Sequence, residues 1–164
     1  MRGQTKTLML MAMFTAIAVA GSVFVSFPAG IARAYPVQHA VNVVAAVTLG
    51  PGPAVGVAFL TALVRILTGT GSLLAFPGGM IGALLAGLLY RRTKRAWTAA
   101  GGEMIGTGII ASLIAAPYAN ILMGASAGAL FFLPAFLVSS ATGALIGFAL
   151  VHKLEGATTK LLPH

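Results

Sequence analysis

Gln38, His39 and Asn42 interrupt an apolar stretch, and at about 100° per residue they take helical angles of about 0°, 100° and 40°, so they share one face. Two amides and an imidazole on one face supply donors and acceptors for a small ligand. Thr61, Arg65 and Thr68 fall at about 0°, 40° and −20°, a narrow stripe in a second apolar segment. The stretch GTGSLLAFPGG from Gly69 to Gly79 follows and carries Thr70, Ser72 and Phe76. Polar groups placed inside hydrophobic segments mark a ligand, a partner or a proton path. A single interior histidine more often bonds only to its neighbours, but His39 converges with Gln38, Asn42 and Arg65, and that favours binding.

Other chemistries find little support. There is no HExxH, no cluster of His and carboxylate ligands for a metal, no cysteine, and no aspartate to orient a histidine. The Gly69 to Gly79 stretch lacks the GK[ST] of a phosphate-binding loop and has no preceding strand, which leaves a flexible loop or a ligand lid. Glu103 is the one acidic residue inside an apolar span. It is the candidate counter-charge for Arg65, but counted from Trp97 it lies about 9 Å from the inner surface and about 8 Å below Arg65, so it ranks below the outer cluster, with helix packing, the basic inner loop or a partner as its other roles. No cofactor is expected.

The elements that position these residues follow from composition. Of 164 residues, 59% are hydrophobic and 7% charged, and the mean hydropathy is +1.00. Such a chain is an all-α integral membrane protein, because lipid leaves no partner for open sheet edges. Six spans are predicted: Thr7 to Ser26, Pro36 to Leu49, Ala54 to Leu67, Phe76 to Tyr90, Trp97 to Tyr118 and Ala127 to His152. The run from Leu8 to Phe27 is too long for a cleaved signal segment and is read as the first helix. Breakers separate the spans at Pro28 and Gly30, at Gly50 to Pro53, and at Pro77 to Gly79.

The net charge of +8 is not a nucleic-acid footprint, since the basic residues form no face interleaved with aromatics. Arg2 and Lys6, then Arg91, Arg92, Lys94 and Arg95, then Lys153 and Lys160 fall on one side of a six-span chain, which the positive-inside rule makes the cytoplasm. Both termini are then cytoplasmic. Asn42 and Arg65 come out about 9 Å and 13 Å below the outer surface. Tyr118 and Asn120, at the outer end of the fifth span, fall near that level. Phe76 or Tyr118 is the candidate aromatic wall, each with an ordinary role as a core or interfacial ring as the alternative. Ala12, Ala16 and Ala20 form a small-residue stripe on the first span, suited to packing within the subunit or to a partner helix. Gly82, Ala86, Gly102 and Gly106 are read as internal packing.

The runs YPVQHAVNVVAAVTLGPG and LVRILTGTGSLLAFPGGMIGALLAGLLYRR resemble the ThiW family, substrate-capture (S) components of energy-coupling factor (ECF) transporters. The likeness spans roughly Met9 to Asn120. It implies a six-helix S component in a prokaryotic cell membrane, binding the thiazole precursor of thiamine, hydroxyethylthiazole, from outside. It also implies docking on an ECF transmembrane coupling protein with two ATPase subunits, which Ala12, Ala16 and Ala20 would meet. A neutral thiazole leaves Arg65 unexplained. An S component for another vitamin such as biotin, a non-transporting assembly subunit and an intramembrane enzyme are the alternatives.

Overall fold

The computed structural model describes residues 2–29 and 32–161. Gly30 and the side chains of Arg2 and Lys160, used above as markers, lie outside the described residues. The helices are α1 (Arg2–Phe24), α2 (Pro36–Leu49), α3 (Pro51–Leu67), α4 (Ala75–Thr93), α5 (Ala96–Glu103), α6 (Ser112–Met123) and α7 (Leu133–Leu161). A π-helical segment, Met104–Ala111, joins α5 to α6, so that Ala96–Met123 runs as one rod. Six helical crossings result among the described residues, so that α1 begins and α7 ends on the same side. Lys6, the turn from Arg91 to Arg95, and Lys153 are exposed there.

Among the described residues, three helices are long and apolar enough to cross a membrane: Gly3–Phe24, Ala96–Met123 and Leu133–Leu154. α2 and α3 have only 14 and 17 residues, in line with the short spans expected there. Both begin on a proline, whose missing N–H is no loss in a first turn. Gly50, at φ +88°, is the single residue between them, so the tight turn is tighter than the breakers suggested. The core is built from alanine: Ala45, Ala46, Ala54, Ala58, Ala83, Ala86, Ala99 and Ala144 are fully buried. Side chains this small let helix backbones approach closely, which replaces the hydrophobic drive that lipid does not supply. Gly102 and Gly106 pack against Leu85, Ala86 and Gly82 of α4, as read from the sequence.

Two features depart from the expectation. The first outer loop contains a hairpin of β1 (Phe27–Ala29) and β2 (Ala32–Ala34), paired antiparallel with Phe27 opposite Ala34. The last helix starts at Leu133, not Ala127, and the fifth rod runs on to Met123. On α1, Ala18 is buried with Met11 and Phe14 packed against the same core, whereas Ala12, Ala16 and Ala20 are exposed. The stripe therefore does not serve packing within this chain.

Candidate ligand-binding site

At the end of the bundle opposite the basic turns, a cavity of about 340 Å³ opens between helix ends. That volume lies within the range of small-molecule sites. Its wall is drawn from the first turns of α2, α4 and α7, the last turn of α3, the loop at Gly69 to Ser72, and Arg33 of β2.

α2 contributes Gln38 and His39, both buried. Gln38 Oε1 accepts a 2.5 Å hydrogen bond from Arg65 Nη1, which leaves the Gln38 amide nitrogen as a donor for a ligand. His39 Nδ1 lies 2.7 Å from Glu103 Oε1. With Glu103 ionised, Nδ1 carries the proton, and Nε2 is left as an acceptor without a hydrogen-bond partner among the described residues. Asn42, one turn deeper, donates Nδ2–H to Glu103 Oε1 at 3.0 Å and to the Gly79 carbonyl at 3.2 Å. Asn42 thus stands behind the wall and supports it.

Arg65 is only 2% exposed although it is charged. Its Nη2 donates to the Thr70 carbonyl at 3.0 Å, and its guanidinium carbon lies 3.8 Å from the centre of the Tyr35 ring. The Arg65 carbonyl in turn accepts the backbone N–H groups of Thr70 and Gly71. Arg65 therefore ties the 69–72 loop to α2 and caps its own helix end, where a cation is favoured.

Glu103 is the principal correction to the sequence reading. Far from ranking below the cluster, it is fully buried and its Oε1 is the shared acceptor of His39, Asn42 and Thr107, the last at 3.1 Å. Oε2 has no hydrogen-bond partner and lies against Gly82, where a Cβ would come within 2.6 Å of it. The Gly78 carbonyl lies 2.7 Å from Thr107 Oγ1, so the single hydroxyl proton is shared between this carbonyl and Glu103. Thr107 belongs to the π-helical segment, a local widening of the helix that often accompanies functional sites.

The remaining expected site residues divide. Thr70 and Ser72 line the cavity. Thr68 does not: its hydroxyl bonds back to the Val64 and Arg65 carbonyls and secures the helix end. Phe76 packs on Phe59 with ring centres 5.4 Å apart, away from the cavity. Tyr118 is half-buried on α6 and off the wall, and Asn120 closes the 120–127 turn through two bonds to Ala127. The aromatic surfaces that do line the cavity are Tyr35, Phe132 and Phe136. A signal for them existed: Phe132 and Phe136 are spaced by one helical turn, and Tyr35 immediately precedes the helix-starting Pro36.

The arrangement can take a flat, partly polar molecule. Rings at Tyr35, Phe132 and Phe136 offer apolar faces, and Gln38, His39, Arg65 and Thr70 offer hydrogen bonds around one end. A family model described as thiamine-precursor transporter protein (ThiW) matches residues 8–157 of the chain. No curated protein matches it significantly.

Proposed function

The chain belongs to the ThiW family of thiamine-precursor transporter proteins, and from that premise we propose that it is the substrate-capture component of an ECF transporter for hydroxyethylthiazole. The observation that carries this reading is the cavity itself: aromatic walls with convergent polar groups, at the end of a membrane bundle remote from the basic turns. The positive-inside rule makes that end external, in a prokaryotic cell membrane. Gln38 and His39 hold the heteroatoms of the thiazole and its hydroxyl, while Asn42 and Glu103 keep His39 in place. The chain has no nucleotide-binding motif, so ATP is hydrolysed by two partner ATPases joined through a transmembrane coupling protein.

Calorimetry on the purified chain in detergent tests the substrate. Hydroxyethylthiazole should bind at micromolar concentration or tighter, and Asn42→Ala or His39→Ala should weaken it by roughly tenfold or more. Failure of every thiamine precursor to bind the folded protein would rule the assignment out.

Docking is supported by the exposed alanine stripe of α1, which lets a partner helix approach closely. Ala16→Trp should abolish uptake by cells carrying the coupling module while leaving thiazole affinity of the isolated chain unchanged. Uptake at the unmodified rate would place the coupling protein on another face.

A further inference from the structure

The charge around the cavity does not balance. Arg65 is buried and Arg33 lines the wall, while the described residues show one carboxylate near the site, that of Glu103. Glu103 is engaged by His39 and makes no ion pair with either arginine. Two guanidiniums thus face a single carboxylate, and the site is cationic.

Burying a guanidinium among neutral partners is costly unless an anion completes it. Arg65 has a glutamine oxygen, one backbone carbonyl and the face of Tyr35, and its buried Nε has no hydrogen-bond partner. Arg33 is held by Ser26, whose hydroxyl and carbonyl take its Nε and Nη2 at 2.8 to 3.4 Å, and it is exposed at the cavity mouth. The backbone adds to the same sign, because α2, α4 and α7 all begin at the cavity and present the positive ends of their dipoles. The opposing end of α3 is occupied by loop N–H groups and by the Thr68 and Thr70 hydroxyls.

We infer that the preferred ligand carries an oxyanion, a phosphate monoester or a carboxylate, seated between Arg65 and Arg33 with its ring against Phe132 and Phe136. This rests on the thiamine-precursor reading above and narrows it to the anionic members of that class. The polar end of the cavity then completes Arg65, and the amide of Gln38 adds a donor to the same group.

The test is calorimetry on the full chain in detergent with three probes: hydroxyethylthiazole, its phosphate monoester, and the corresponding thiazole carboxylate. At least one anion should bind about tenfold or more tightly than the alcohol, and which one does identifies the oxyanion. In Arg65→Gln that preference should fall to within about threefold, and Arg33→Gln, at an exposed position that tolerates the change, should lower it in the same direction. An alcohol that binds as tightly as both anions overturns the inference and leaves the thiazole reading standing. A preference that survives in Arg33→Gln and in folded Arg65→Gln overturns it as well. Binding of none of the three overturns both.

Discussion

Glu103→Ala should abolish measurable ligand binding and destabilise the detergent-solubilised chain by about 1–3 kcal/mol, the cost of leaving the buried His39 donor unsatisfied. The carboxylate is fully buried and serves three donors through one oxygen. Asn42 keeps the Gly79 carbonyl and Thr107 keeps the Gly78 carbonyl, so the loss falls on His39, whose Nδ1 would have no acceptor. An imidazole released from that bond no longer presents Nε2 to the cavity in a fixed direction. Glu103→Gln retains an acceptor oxygen and the volume. It should recover most of the stability yet bind about tenfold more weakly, because a charge-assisted bond becomes a neutral one. Thermal unfolding and calorimetry on both variants decide the matter. If Glu103→Ala unfolds within about 1 kcal/mol of the parent and binds equally well, Glu103 is not the support of the site.

The second large effect is expected at Gly82→Ala. A Cβ there would collide with Thr107 Oγ1 and approach the Glu103 carboxyl carbon to 2.7 Å. Neither neighbour can withdraw freely, since Thr107 is bonded to Gly78 and Glu103 to His39. Overpacking of this kind costs about 1–3 kcal/mol, and any movement that relieves it carries Glu103 against His39. Binding should fall by roughly tenfold or more, with a lower unfolding temperature. Gly101→Ala is the control, as its Cβ would meet nothing within 4 Å and should be neutral or stabilising by up to about 1 kcal/mol. Equal behaviour of the two variants would mean that the contact at Gly82 is slack.

Much of this site could be read from residue spacing, and the parts that could not have a common cause. Gln38, His39 and Asn42 share a face because their spacing obliges it, and Arg65 in an apolar helix had to turn inward. Depth was harder. Counting from Pro36 as though it stood at the outer surface leaves a gap between Asn42 and Glu103. The Tyr35 backbone N–H in fact donates to Ser139 Oγ, six residues into α7. At about 1.5 Å per residue, α2 therefore begins about 9 Å down relative to the start of α7, beneath the β1–β2 hairpin. That displacement brings Asn42 to the level of Glu103. The hairpin itself was unreadable, since three-residue strands carry no periodicity. Phe76 was a candidate for the aromatic wall, with an ordinary core or interfacial ring as its alternative. Its place at the second position of α4 turns it toward Phe59 instead.

The one-residue joint at Gly50 bears on how the protein reaches the bilayer at all. A 14-residue helix rises about 21 Å, well short of a hydrocarbon core of about 30 Å, and α2 alone would also show Gln38, His39 and Asn42 to lipid. Both defects count against α2 entering the bilayer alone. With Gly50 as the only spacer, α3 is held beside α2, and Arg65 meets Gln38. Within the α2–α3 pair Gln38 and Arg65 are matched to each other, whereas His39 and Asn42 meet Glu103 only when α5 packs against them.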